Sequence, residues 1–335
     1  MENQTTILTG VTPSGTPHLG NYIGAIRPAI ERTNQAENPS FLFVADNHSL
    51  IKLWSADKRR QFTHEVAATW LALGLNPQKT AFYRQSDVPE IFELCWILNT
   101  VTSKGLLNRA HAYKAAVQAN EEAGNNDLDA GVTMGLFNYP VLMAADILLF
   151  HATHVPVGKD QIQHVEIARD IANRFNHIYK TNTLTPPEAL VQQQAETIPG
   201  LDGRKMSKSY NNTILLFDSE KKLRKQIMKI VTNSLPPEAP KDETSCPIFQ
   251  LYRQFATDSE IQDLQNQYHQ GIGWGQAKQI LFEKINAHLA AAREYYQTLM
   301  NNPEEIEHYL QQGAAKARTV AKDTLYHVKK VTGII

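Results

Sequence analysis

The chain has 335 residues, 42% of them hydrophobic and 20% charged, with a net charge of −1; that length predicts two domains and enough apolar residues for a sizeable core. Near-neutrality excludes a globally basic nucleic-acid binder, so any such surface has to be a local patch. No apolar run approaches the ~18 residues of a membrane span, the opening Met1-Glu2-Asn3-Gln4 shows no basic-then-apolar secretory pattern, and the two distant cysteines, Cys95 and Cys246, read as thiols of a reducing cytoplasm.

Residues 5–11 read as a short strand, followed by the turn cluster Thr12-Pro13-Ser14-Gly15. A helix is expected from about Gly20 to Thr33, with Ile23, Ile26 and Ile30 at helical spacing and Pro28 kinking it or ending it. The apolar run 41–45 suits a parallel strand buried on both faces. Residues 57–74 read as helix, 80–85 as strand and 89–101 as helix. Residues 118–131 read as an exposed loop, and Tyr139-Pro140 as the start of a helix with proline at its first position. His154–Val157 is a strand leading into Gly158, and Asp160 with Gln163 is spaced as a capping box for the next helix. The alternation predicts an α/β fold, a doubly wound parallel sheet. From about 219 strand signals fade, and helices are expected near 219–231, 247–256, 258–268, 275–299, 303–312 and 313–330. The boundary falls near 215–220.

Two stretches carry chemistry. His18-Leu19-Gly20-Asn21 sits where the first strand turns into a helix, and a helix N-terminus offers free N–H groups and a partial positive charge to phosphate. Gly20 lets a ligand approach the backbone, while His18 and Asn21 can donate to phosphate oxygens. Lys205-Met206-Ser207-Lys208-Ser209 lies in a loop flanked by Gly200 and Gly203. Lysines aimed at a leaving pyrophosphate stabilise the transition state more than the ground state. A third stretch, Tyr139–Phe150, places Met143, Asp146, Ile147 and Phe150 near one helix face. A carboxylate in that apolar company is costly to bury unless paired. An indole N–H would suit it; the alternative is that Asp146 faces solvent. A site built on such a bond can reject analogues lacking the donor by about 10⁴-fold.

The first two stretches resemble the HIGH and KMSKS signatures of class I aminoacyl-tRNA synthetases. The third resembles the tryptophan-binding helix of the bacterial tryptophanyl-tRNA synthetases, and the resemblance extends through Val155–Gln161 and Gly271–Gly275 nearly end to end. It implies a Rossmann-like catalytic domain over 1–218, with an inserted helical segment at about 95–140 and the KMSKS loop at 200–212. An all-helical anticodon-binding domain follows over 219–335. It implies that Thr12, Pro13, Ser14, His18, Gly20, Asn21, Gly158, Lys159, Asp160, Ile198, Lys205, Met206, Ser207, Lys208 and Ser209 bind ATP. Among these, His18, Asn21, Lys205 and Lys208 are the catalytic set. Asp146, Met143, Tyr139, His48 and Gln161 would form the tryptophan pocket, although a lone histidine such as His48 can equally be structural.

The chain departs from the family's pattern at three places. Thr12 stands where many bacterial members have glutamine, and Leu8 where a phenylalanine is common. Ala116 stands where some carry a second lysine after the position of Lys114, so a phosphate contact by Lys114 is not assigned.

The implied reaction ligates L-tryptophan to tRNA(Trp) through an adenylate, with ATP as substrate and Mg²⁺ on its phosphates, in a cytoplasmic homodimer with an interface from roughly 75–145. No membrane is involved and no resident metal is expected: His151 and His154 are three apart, but nothing nearby completes a tetrahedral set. Two basic clusters could meet RNA phosphates: Lys221, Lys222, Arg224, Lys225 and Lys229, and Lys316, Arg318, Lys322, Lys329 and Lys330. A tyrosyl-specific relative, a nucleotidyltransferase without an RNA substrate and a non-catalytic RNA-binding or scaffold descendant of the fold are the competing readings.

Overall fold

The computed structural model describes residues 6–35, 40–191 and 197–335, apart from the side chain of Asp160. Five parallel strands, β1 (Ile7–Val11), β2 (Ser40–Val44), β3 (Thr80–Arg84), β4 (His154–Val157) and β5 (Glu188–Val191), lie in the order β3-β2-β1-β4-β5. The order reverses between β1 and β4. In sheets of this kind ligands bind outside the carboxyl ends of the strands at that reversal. β2 is buried along its whole length, as its continuous apolar run requires. Beside it, Gly10 in β1 has no side chain for a reason: a Cβ there would stand 2.6 Å from the Phe43 ring.

Several local expectations change in the fold. The helix after β1 does not stop at Pro28 but continues to Gln35. Residues Tyr22–Ile26 form a π-turn, with the Arg27 N–H donating to the Tyr22 carbonyl. That widened turn accommodates a ring that would otherwise clash with the carbonyl four residues back. The second proline-containing helix starts earlier than expected, spanning Met134–Leu148 with Pro140 inside it. Its N-cap is Thr133, whose hydroxyl accepts from the Leu136 N–H at 3.2 Å. The expected loop at 118–131 is shortened, because helix His111–Glu122 runs into it. The capping box expected at Asp160 and Gln163 involves the Asp160 side chain, which lies outside the described residues. The helix there begins at Ile162 after a 3₁₀ turn, and Gln163 accepts from the His111 N–H (2.8 Å) and donates to the Arg109 carbonyl (3.0 Å).

Past residue 219 every described element is helical: Glu220–Ile227, Pro247–Tyr252, Asp258–Gln270, Trp274–Asn301 and Pro303–Thr332. The two helices expected at 303–312 and 313–330 are one. Gly313 does not break it but sets its packing, since a Cβ there would lie 1.7 Å from the Phe82 carbonyl oxygen in β3. Ala314, Ala317, Ala321, Leu325 and Val328 bury themselves in the core that also holds helices Glu90–Val101 and Met134–Leu148. On the other face of the sheet, Leu19, Val66 and Trp70 share a core with Leu223, Ile248, Leu281 and Leu289. Residues beyond 218 therefore contribute to the cores on both faces of the sheet.

Gly313→Ala forces the last helix off β3. The expected outcome is a loss of about 1–3 kcal/mol or more of stability, as for other overpacked sites, read as a lower thermal unfolding midpoint. Gly275→Ala, whose added methyl meets nothing within 4 Å, is the matched control and leaves the midpoint near its original value.

Candidate active site

A cavity of about 840 Å³ opens at the carboxyl ends of β1 and β4. Leu8, Phe43, Met143, Ile147 and Val155 give it apolar walls, and Thr9, His48, Tyr139, Asp146 and Gln161 supply polar groups. Three separate elements converge on Asp146. Its own helix is Met134–Leu148, His48 follows β2, and Gln85 follows β3. His48 Nε2 lies 2.9 Å from Oδ2, and Gln85 Nε2 donates to Oδ1 at 2.8 Å and to Oδ2 at 3.0 Å. Asp146 is 1% exposed. Burial pushes its carboxyl above the usual range, and the bonds from His48 and Gln85 oppose that shift. A carboxylate accepts about four hydrogen bonds, and three are made here. Capacity for one more donor remains, on a wall of an apolar cavity. The alternative of a solvent-facing Asp146 is therefore set aside. Tyr139 presents its ring edge to His48, with centroids 6.4 Å apart, and bonds His164 through its hydroxyl.

The two signature loops lie together beside this cavity, although 186 residues separate Gly20 from Met206. Leu19 N–H donates to the Ile214 carbonyl (2.9 Å) and Leu216 N–H to the Pro17 carbonyl (3.3 Å). The Gly20 N–H points at Met206 Sδ, 3.3 Å away. His18 and Asn21 cap the helix reciprocally: Asn21 N–H donates to His18 Nδ1 (3.3 Å) and His18 N–H to Asn21 Oδ1 (3.1 Å). With Nδ1 accepting, the ring proton is on Nε2, where it can be donated outward. Burial, and then the Lys208 ammonium, hold the His18 pKa down to about 4, so the ring is neutral at pH 7.

Asn212 shapes the second loop. Its Oδ1 accepts from the Ser207 N–H (2.8 Å), and its Nδ2 donates to Asp202 Oδ1 (2.7 Å) and the Lys205 carbonyl (3.1 Å). Lys208 reaches back across to the first turn: a Cβ on Gly15 would stand 2.9 Å from Lys208 Nζ. A polyanion laid over Thr12–Ser14 would meet that ammonium. Burial lowers the Lys208 pKa, and the buried Glu65 carboxylate raises it.

The structure thus brings the expected residues into two adjoining groups. Thr12, Ser14, His48, Tyr139, Met143, Asp146, Gly158 and Gln161 line the cavity. His18, Gly20, Asn21, Met206, Ser207 and Lys208 form the loop contact described above. Ile198 is buried and its carbonyl accepts from the Met206 N–H (2.8 Å), while Pro13 is buried in the first turn. Lys159, Lys205 and Ser209 are exposed, as is Lys114. The Asp160 side chain lies outside the described residues. Sequence reasoning missed Gln85, His164, Asn212 and Glu65. Gln85 had a usable signal, because it directly follows β3 at the ligand-binding end of the sheet.

Residues 1–290 match the profile of the tRNA synthetases class I (W and Y). A tryptophan–tRNA ligase of Neisseria meningitidis is 54% identical over 328 residues, which is 98% of this chain and 97% of the relative. The chain belongs to the tryptophanyl-tRNA synthetase family. A second relative, the tryptophan–tRNA ligase of Pseudomonas putida, is 54% identical over 98% of this chain and 74% of its own length. The tryptophanyl-tRNA synthetase of Campylobacter jejuni, solved with ADP and tryptophan, superposes with a TM-score of 0.90 at 44% identity, covering 98% of this chain and 100% of that one. The Rossmann-like class I fold and the helical C-terminal region are shared features of this family.

The neutral state of His18 has a pH signature. Its folded pKa lies below the ordinary 6.5, so the unfolded chain binds the proton more readily. The stabilisation from keeping the ring neutral is present above pH 6.5 and is lost as pH falls from there toward 4, by up to about 3 kcal/mol. Nuclear magnetic resonance of the His18 ring is expected to give a midpoint near 4; a midpoint near 6.5 contradicts the buried, capped geometry.

Proposed function

We propose that this enzyme activates L-tryptophan with ATP and transfers it to tRNA(Trp), releasing pyrophosphate and then AMP. The observation that carries the reading is the buried Asp146, triply bonded yet with capacity for one more donor, on the wall of an apolar cavity beside two phosphate loops. An indole fits such a cavity, and its N–H supplies the missing donor. Met143 packs on the ring, while Tyr139, His48 and Gln161 close the pocket. Relatives matching end to end and named for tryptophan do not favour a tyrosyl-specific enzyme or a nucleotidyltransferase without RNA.

In the first step a tryptophan carboxylate oxygen attacks the α-phosphorus, and the bond to the pyrophosphate oxygen breaks. The carboxylate is already ionised at neutral pH, so no general base is needed. The protein's task is to align two anions and neutralise growing charge. Thr12–Ser14, Gly20 and Gly158 leave room for the nucleotide, with Lys159, Asp160 and Ile198 around its ribose and base. His18 donates from Nε2, Asn21 holds His18, and Lys205, Lys208, Ser207 and Ser209 meet the leaving pyrophosphate. Mg²⁺ enters on the ATP phosphates as part of the substrate. The ammonium, amide and hydroxyl groups of the loops would meet the phosphate oxygens, not the ion. In the second step a terminal ribose hydroxyl of tRNA attacks the activated carbonyl and AMP leaves.

The helical half, residues 219–335, reads the anticodon in this proposal. Lys221, Lys222, Arg224 and Lys225 on helix Glu220–Ile227 are exposed and support a phosphate contact there. The C-terminal cluster offers less. Lys316 donates to the Pro77 carbonyl, Arg318 pairs with Glu90 and Lys329 with Glu93. Trp96 and Met134, 72% and 68% exposed, are apolar groups within 75–145 that a homodimer would cover. No described helix is long and apolar enough to cross a membrane, and the reaction belongs to cytoplasmic translation.

Amino-acid-dependent exchange of pyrophosphate into ATP tests the reading. Exchange is expected with tryptophan and not with tyrosine or phenylalanine; exchange with tyrosine alone, or with none, overturns it. Lys208→Ala is expected to slow exchange by about 10²-fold or more, as for loss of other transition-state donors, with tryptophan affinity changed far less. Equal effects on both would remove Lys208 from the transition state.

A further inference from the structure

Trp54 is the most exposed large apolar side chain among the described residues, at 82%. A single exposed hydrophobic residue is ordinary, but three features set this one apart. First, it stands at the cavity's edge: Ile51, Lys52 and Leu53, its immediate predecessors, line the cavity. Second, it lies in a basic stretch beside the cavity. Residues 52–60 carry Lys52, Lys58, Arg59 and Arg60 against Asp57 alone, in a chain whose net charge is −1. Lys52, Lys58 and Arg60 are exposed. Third, the segment is held in shape. Leu53 N–H donates to the Ser49 carbonyl (2.8 Å), Arg59 Nη2 to the Leu53 carbonyl (2.5 Å), and the Lys58 N–H to Ser55 Oγ (3.4 Å). The indole is thus presented on a fixed turn.

An exposed aromatic on a hydrogen-bonded turn, interleaved with cations, is what an unpaired nucleotide recognises: the base stacks on the ring and the phosphates meet the cations. We propose that the 50–60 segment docks the single-stranded 3′ end of tRNA, with Trp54 as the stacking platform for one unpaired base. This inference rests on the tRNA-charging function proposed above. The placement has a chemical logic, because the terminal ribose hydroxyl has to enter this cavity to reach the activated carbonyl. A platform on the rim would hold the strand as its last residue goes in. Because the first step involves no RNA, the platform acts only on the second.

The test compares the unaltered chain, Trp54→Ala and Trp54→Phe in two assays, tryptophan-dependent pyrophosphate exchange and tRNA charging. Trp54→Ala is expected to lower kcat/KM for tRNA about tenfold, within the range for loss of one base–aromatic stack, and to leave exchange unchanged. Trp54→Phe, which still offers a ring, is expected to recover most of the loss. Binding of tRNA trimmed of its single-stranded 3′ end is expected to be the same for all three proteins. Unchanged charging by Trp54→Ala, an equal loss with trimmed tRNA, or a parallel fall in exchange would each overturn the proposal. So would a lower mass in sedimentation for Trp54→Ala, which would assign the surface to a second copy of the chain. Absence of exchange in the unaltered chain would remove the functional reading itself, and this inference with it.

Discussion

The burial of Asp146 is the constraint around which the site is arranged. A carboxylate taken out of water is costly unless each oxygen finds donors. Here the donors come from the ends of two different strands, His48 after β2 and Gln85 after β3. The carboxylate therefore ties its helix to the ends of two strands that already pair in the sheet, and together they form the floor of the cavity. Arg84, next to Gln85, is held from the opposite direction by Glu307 of the last helix, at 2.9 and 3.0 Å. The end of β3 is gripped on both sides, and the binding floor inherits that rigidity. Removing either donor would leave a buried charge short of a partner, at a cost of several kcal/mol.

The side of the cavity where the two signature loops meet is organised by a different device. Two backbone bonds tie residues 17–19 to residues 214–216, so the loops on either side of that seam move as neighbours. Met206 fills the gap, its sulfur against the Gly20 N–H. The second loop is also tied to the helical half, since the Val231 N–H donates to the Leu201 carbonyl at 2.9 Å. The first signature helix has its own tie there, through the Tyr22 hydroxyl and His288 at 2.8 Å and through Arg27 donating to the Gln254 carbonyl at 2.7 Å. Both signature segments thus contact the half of the molecule that carries the basic helix. A change in how the helical half is held would be felt by the lysine loop through a chain of direct bonds.

Much of this was legible in the residues, for identifiable reasons. All five strands are short: four were read from the sequence, at 5–11, 41–45, 80–85 and 154–157, whereas β5, at Glu188–Val191, is largely exposed and gave no such signal. The two loops were legible because they resemble the two signatures of the class I synthetases, in the same order along the chain. What local patterns could not express was tertiary compensation. Pro28 does not stop its helix because a π-turn absorbs the ring. Pro140 sits mid-helix because Thr133 caps the start earlier. Gly313 looks like a break between two helices and is a contact surface for β3. Gln85 and Asn212 are ordinary polar residues whose importance is set by what reaches them across the fold.

The central claim is that Asp146 reads the indole N–H of tryptophan. The most direct test uses an analogue in which sulfur replaces that N–H, the benzothiophene counterpart of tryptophan, which keeps the size and ring shape. The measurement is kcat/KM for pyrophosphate exchange with each amino acid. The account predicts that the analogue is used less well by about 10⁴-fold, because binding it would leave Asp146 facing a group that cannot donate. Comparable use of the two would contradict the account and leave the cavity selecting by shape alone.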